Sequence, residues 1–452
     1  MFLVFPSQTE TQAIFNECFL LKQKLMGFST SISFSNRNID TVISFHMPCI
    51  PMGRVERTSQ LDRISPFFGN GNAKVLTGIR RSGKSTLLRM ISEVHSDKNI
   101  ILFDMELWSN REYRDPDALY RRIKDSLVSD RKNVLLIDEV QDITEWESVI
   151  RSLISEGCCD IYLTGSNSRL LSGEFATYLS GRLNTTEIFT LTLSECMRFE
   201  SVYRDGITTD GALAKFLRFG GFPSIWRFDY NEKEAMSEVR DIVQAILLRD
   251  VVNRYGVKQP NILERILRFI CDNVGNLISV NNIYNTFLSN GDKVGKDTVY
   301  SYLSYLESAY LVYRVETMDL KGKGILKSRY KYYLSDIGIK NALMGYRPDD
   351  IPGYIENIIF LELRSRGYDV WIADNRGKEI DFVARDGEGL IYIQATTRLS
   401  DEKVITREFG NLRDVDDYRS KYVVVLEKGL LDGDMDGTRC VTLSEFLLMP
   451  QL

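Results

Sequence analysis

The stretch Gly78-Ile79-Arg80-Arg81-Ser82-Gly83-Lys84-Ser85-Thr86 holds the residue types a polyphosphate requires, in the order it requires them. Its glycines let the backbone curl, so that successive N–H groups face an anion at the start of a helix. Lys84 supplies an ammonium group for the β- and γ-phosphates, and Ser85 a hydroxyl for Mg²⁺. Further on, the apolar run Asn133–Ile137 ends in Asp138-Glu139. Asp138 suits magnesium support through water, and Glu139 suits polarising the attacking water as a general base. A third apolar run ends Thr164-Gly165-Ser166-Asn167, where Asn167 or Ser166 would orient water against the γ-phosphate. Together these groups imply ATP and Mg²⁺ as cofactors and hydrolysis at the γ-phosphate as the reaction. Arg182 and Arg169 are the candidates for an arginine finger.

Such groups converge only if strands deliver them to one edge of a sheet. From Lys74 onward strand and helix signals alternate, the pattern of a parallel sheet covered by helices. Strands are expected at Lys74–Thr77, Asn99–Asp104, Asn133–Ile137, Asp160–Thr164 and Thr185–Leu193, with helices at Ser85–Val94 and around Asp117–Val128. The expected fold class is α/β, a P-loop parallel sheet over residues 52–205. A helical lid or connector follows at 206–260.

Several of these motifs resemble a known family. Gly-x-Arg-Arg-Ser-Gly-Lys-Ser-Thr (78–86), Leu-Ile-Asp-Glu-Val-Gln (136–141), Leu-Thr-Gly-Ser-Asn-Ser (163–168) and Leu-Ser-Gly-Arg (179–182) are similar to segments of archaeal and bacterial AAA+-type ATPases. So are Gly-Gly-Phe-Pro (220–223) and Leu-Arg-Asp-Val-Val-x-Arg-Tyr (248–255). The resemblance covers about residues 54–430. It implies that Asp138 and Glu139 form the Walker B pair, that Ser166 and Asn167 lie at the sensor position, and that a winged helix and a restriction-endonuclease-like domain follow the core. ATPases of this type place their sites at subunit interfaces, so nucleotide-dependent self-association is expected.

Residues 261–346 read as three helices and a hairpin, a winged helix in outline. Helices are expected at Ile262–Asn273 and Val280–Ser289, a third begins near Asp297, and Leu311–Thr317 pairs with Tyr330–Leu334. Residues 258–346 hold twelve Lys or Arg against eight Asp or Glu, a net of +4. Lys293, Lys296, Lys321, Lys323 and Lys327 are the candidate contacts to double-stranded DNA, with Arg329 and Lys331 completing the basic hairpin. Residues 347–452 resemble a PD-(D/E)xK nuclease core, with Glu356 (and Glu362) on a helix, Asp381 on one strand and Gln394 on the next. Gln394 stands where that pattern has an acid and Thr396 where it has lysine, so no ammonium group is evident and the site is expected to be vestigial. The unit carries fourteen Lys or Arg against twenty-one Asp or Glu, a net of −7, which is unfavourable for gripping DNA. An ATP-gated DNA nuclease of a mobile-element or defence system is the alternative reading, and an ATP-binding adaptor without turnover another.

Composition narrows the rest. The chain has 452 residues, 44% hydrophobic and 26% charged, and a net charge of −5. That is a globular, multi-domain composition. Its two histidines, His46 and His95, leave no material for a Ser-His-Asp hydrolase or a His-rich zinc site. Seven scattered cysteines with no C-x-x-C pair read as reduced thiols of a cytoplasmic protein, and no apolar run is long enough to span a membrane. Residues 1–51 lack a strong period and read either as an accessory leader or as the product of an upstream start codon, with Met52 then the functional start.

Overall fold

A computed structural model describes residues 55–168, 181–320, 325–375, 377–387, 389–415, 418–431 and 433–452. The expected leader and the finger candidate Arg169 lie outside the described residues. After the short helix α1 (Thr58–Ile64), the chain builds β1 (Ala73–Thr77), α2 (Lys84–Val94), β2 (Asn99–Asp104), α3 (Pro116–Ser126), β3 (Asn133–Asp138), α4 (Trp146–Glu156), β4 (Asp160–Thr164) and β5 (Leu183–Glu187). These strands form one parallel sheet in the order β2-β3-β4-β1-β5.

The sheet is buried on both faces, which is why β3 reads as an unbroken apolar run over Val134–Ile137. Leu135, Ile137, Ile161 and Leu163 pack against Leu119, Ile123, Trp146 and Ile150 of α3 and α4. Their neighbours Leu76, Val134, Leu136 and Tyr162 face the other way, onto Leu87, Leu88 and Ile91 of α2. Because β4 lies between β1 and β3, the turns after all three strands meet at the carboxyl edge of the sheet, the usual place for a ligand in such folds.

The fifth strand is shorter and earlier than expected. It ends at Glu187 because Thr192 starts a helix instead: its hydroxyl accepts from the Glu195 N–H, and the Glu195 carboxylate accepts from the Thr192 N–H. That reciprocal cap makes Leu193 the first residue of α5 (Leu193–Tyr203) rather than the last of a strand.

Three further helices follow, α6 (Thr209–Phe219), α7 (Pro223–Arg227) and α8 (Glu232–Ala245), the last running into a π-helical stretch at Ile246–Asn253. Then come α9 (Pro260–Asp272), β6 (Leu277–Ile278), α10 (Val280–Ser289), α11 (Lys296–Ser308) and a hairpin of β7 (Val312–Asp319) and β8 (Ile325–Leu334). After α12 (Ile337–Met344) and α13 (Ile351–Ser365) the chain forms β9 (Asp369–Asn375), β10 (Lys378–Asp386), β11 (Gly389–Arg398), α14 (Glu402–Arg413), β12 (Ser420–Glu427), β13 (Arg439–Thr442) and α15 (Leu443–Leu448).

The hairpin and the C-terminal strands make one mixed sheet, in the order β13-β12-β11-β10-β9-β7-β8-β6. Its seam is the parallel pair β7–β9, with Thr317 opposite Ile372. The sheet therefore runs straight across residue 346, where the sequence suggested one unit ends and the next begins. Among the described residues no helix is long and apolar enough to cross a membrane.

Candidate nucleotide site

The loop between β1 and α2 adopts the conformation its glycines permit. Gly78 has φ +132°, and a Cβ there would lie 2.2 Å from the Ile188 carbonyl oxygen, so no other residue fits. Gly83 (φ +98°) caps α2 in the left-handed region. The Lys84 side chain is buried and doubles back, its Nζ donating to the carbonyls of Gly78 (3.0 Å) and Ile79 (2.9 Å). Burial lowers its pKa against the attraction of Glu139, with Arg80 adding to the lowering.

A buried arginine supports this loop from below. Arg57 donates to the Ser82 carbonyl (2.7 Å), to both carboxylate oxygens of Glu195 (2.9 Å each) and to the Phe189 carbonyl (3.1 Å). Sequence reasoning missed it, because its partners lie up to 138 residues away.

The two carboxylates sit where β3 meets the loop. Thr164, at the end of β4, ties them together: its hydroxyl donates to Asp138, and its oxygen accepts from the Glu139 N–H at 2.8 Å. Glu139 is held in the left-handed region (φ 56°, ψ 54°), a strained state for a residue with a side chain and one that clusters at functional sites. Burial opposes ionisation of Glu139, but Lys84, the Gln141 amide, Arg80 and the Ser166 hydroxyl outweigh it, and the carboxyl titrates below its ordinary value. Burial pushes Asp138 the other way, with the hydroxyls of Thr164 and Ser85 opposing. A buried carboxyl beside two hydroxyls is a hard oxygen set that fits Mg²⁺ once phosphate oxygens complete it. Among the described residues no group of three or more His, Cys, Asp or Glu is arranged to hold a metal ion by itself.

Beside the loop is a cavity of about 300 Å³ lined by Lys84, Ser85, Thr86 and Glu139 on one side and by Pro223, Ser224, Arg227 and Phe228 on the other. Pro223, the last residue of the Gly-Gly-Phe-Pro segment, begins α7, and α7 makes that second wall. A Cβ on Gly220 would overlap Asp336, whose carboxylate accepts from the Gly221 N–H at 2.8 Å. Arg227, which the sequence did not single out, is an arginine of the same chain facing the cavity.

The segment 248–255 closes the site from the helical side. Arg80 of the loop donates to Asp250 (Nε to Oδ2, 3.0 Å) and to Glu106 (3.0 Å). Asn167 donates to the Tyr255 hydroxyl at 3.3 Å, and the Tyr255 ring stacks on Tyr305 of α11 with centroids 4.0 Å apart. One short stretch thus touches the phosphate loop, the turn after β4 and α11.

The model of the "AAA domain" matches residues 70–197, and that of a "Domain of unknown function (DUF8612)" matches 210–350. An uncharacterized protein of Haemophilus influenzae is 32% identical over 400 residues, 87% of this chain and 98% of that protein. The chain belongs to the AAA family. A second relative, an uncharacterized protein of Methanocaldococcus jannaschii, is 32% identical over 343 residues, covering 73% of this chain and 75% of its own. Among solved structures, the Aeropyrum pernix ORC1 protein in complex with DNA aligns over 66% of this chain and 94% of its own, at 13% identity and a TM-score of 0.32.

Around the AAA core the remaining candidates separate. Arg182 lies at the start of β5, its backbone carbonyl accepting from the Ala73 N–H and its guanidinium bonded to Ser155 at 3.0 Å. That is the amino edge of the sheet, opposite the phosphate loop, so Arg182 does not serve the site of its own chain. Lys293 and Lys296 are exposed around the start of α11, beside a cavity of about 410 Å³ that Lys258 and Lys293 line. Lys321, Lys323 and the side chain of Lys327 lie outside the described residues.

Glu356, Asp381 and Gln394 do come together, and here the sequence reading needs a correction. An ammonium group is present: Lys331 of β8 reaches Glu356 (2.8 Å), Glu379 (2.7 Å) and Asp381 (3.7 Å). Lys331 is therefore buried among acids and not part of a basic hairpin face. Glu362 faces elsewhere, paired with Arg366 at 2.7 Å.

Proposed function

We propose that this AAA protein binds ATP with Mg²⁺, hydrolyses it, and uses the cycle to change how α11 and its surroundings engage double-stranded DNA. The observation that carries the reading is the Thr164 bridge, which holds Asp138 for the metal and turns Glu139 toward the loop that Lys84 closes. Among the described residues Lys84 hydrogen-bonds two neutral carbonyls and no carboxylate, so its ammonium can move onto the β- and γ-phosphates without breaking a direct ion pair. Asp138 and Ser85 would hold Mg²⁺, which when bound neutralises charge on the phosphate oxygens.

Glu139, ionised because Lys84 and Arg80 offset its burial, orients a water and takes its proton as the oxygen attacks the γ-phosphorus and the bond to the β-phosphate oxygen breaks. Asn167 steadies that water from β4, and Arg227 meets the γ-phosphate from α7. When Asn167 turns to the water it gives up the Tyr255 hydroxyl, and Tyr255 carries that change to Tyr305 on α11. Lys258, Lys293 and Lys296 are the phosphate-contacting groups there. Arg182, exposed on the far edge, is placed to act on a neighbouring copy. The units at 261–346 and 347–452 are read as a winged helix and a non-cutting endonuclease-like domain.

The test is ATP turnover with and without duplex DNA. Turnover is expected, with stimulation by DNA that the Lys293→Gln/Lys296→Gln variant loses. Turnover unaffected by DNA in both proteins would remove the DNA half of the reading.

A further inference from the structure

The ammonium group missing from the C-terminal pattern comes from another unit, and it sits among the acids rather than beside them. Glu356 comes from α13, Glu379 and Asp381 from β10, and the pairing of Phe382 with Ile393 sets Gln394 of β11 next to Asp381. Lys331 enters from β8 and is 2% exposed. The Tyr333 hydroxyl donates to Glu356 at 2.9 Å and the Ala395 N–H to Asp381 at 2.8 Å, so the acids are fixed from outside as well. Gln394 is buried there, with its Oε1 lacking a hydrogen-bond partner among the described residues. Three acids and a buried amide thus gather around one ammonium group, and as the cluster stands no three acids among the described residues are arranged to hold a metal ion.

We propose that Lys331 is the resident cation of this site: its ammonium group takes the place of a divalent metal among Glu356, Glu379, Asp381 and Gln394. The site accepts such an ion only when the lysine is removed. Burial alone would lower the pKa of Lys331, but Glu356, Asp381 and Glu379 more than reverse that. The same ion set ties the hairpin to the C-terminal strands, because Lys331 belongs to the hairpin and its partners do not.

The test uses the full chain without nucleotide, so that the phosphate loop contributes no metal site, and follows Mn²⁺ by calorimetry and by melting temperature. Wild type is expected to show no Asp381-dependent Mn²⁺ binding. Lys331→Met is expected to melt several degrees lower, because it leaves buried acids unpaired. It should bind Mn²⁺ at least about tenfold more tightly than wild type and regain its Tm with the ion; Lys331→Met/Asp381→Asn should lose that response. Asp381-dependent Mn²⁺ binding by wild type, Mn²⁺-dependent DNA cleavage that needs Lys331, or no gain of binding in Lys331→Met would each overturn the proposal. Should Lys331→Met not fold, Lys331→Met/Glu356→Gln, which removes one charge of each sign, is expected to fold. Equal loss of both proteins would mean that Lys331 is needed for packing and not as a cation.

Discussion

Two of the buried lysines, Lys84 and Lys331, face opposite circumstances. Lys84 gives its ammonium to two backbone carbonyls, and burial lowers its pKa. Lys331 gives its own to carboxylates, and its pKa is raised in spite of burial. A lysine on neutral acceptors is an unfilled demand for anion, ready for a phosphate. One held among carboxylates has already met its counter-charge, and a ligand would have to displace it. The same residue type thus marks one site as open to an anion and the other as closed to a cation.

Removing each lysine is the strongest way to break this comparison. Lys84→Met is expected to abolish ATP binding, whereas Lys331→Met should leave it unchanged. Without nucleotide the stability effects should have opposite signs: Lys84→Met melts higher than wild type, because it deletes a buried and poorly compensated charge, and Lys331→Met melts lower. The pH dependence follows from the direction of each shift. With a folded pKa raised above 10.5, Lys331 contributes stability that is complete below pH 10.5 and lost only as pH rises through the folded value. With a folded pKa lowered from 10.5, Lys84 is destabilising below that lowered value, and the penalty fades as pH climbs toward 10.5. Melting curves of the three proteins from neutral to alkaline pH check both signs.

A smaller effect should sharpen the account of how the open site communicates. Tyr255→Phe keeps the stack on Tyr305 but removes the acceptor for Asn167. Losing one hydrogen bond of about 1 kcal/mol predicts a change in turnover of about fivefold or less, with ATP affinity unchanged and DNA stimulation reduced. Turnover and stimulation measured on the same preparation decide it.

How much of this was visible in the sequence follows the same division. The phosphate loop was legible because its backbone requires glycine at Gly78 and Gly83, leaving a fixed spacing. Asp138 and Glu139 were legible because they close one buried apolar strand, and Asn167 because it lies three residues beyond another; strand order then brings the two turns together. Arg57, Asp250 and Arg227 were not, since a charged residue in a helix or loop reads as solvated until its distant partner is known. Lys331 misled for the same reason. In a hairpin with Lys327 and Arg329 it reads as one more basic residue, and its acids lie 25 to 50 positions later on other elements. The seam between β7 and β9 was equally hidden, because a parallel pairing across α12 and α13 has no local signature.

The most direct measurement is phosphate release by wild type and Glu139→Gln, with ATP occupancy read in the same samples. The account predicts that both proteins bind ATP in the presence of Mg²⁺ and that Glu139→Gln releases phosphate roughly 100-fold more slowly or worse. Equal rates in the two proteins, or a wild type that does not bind ATP, would contradict it.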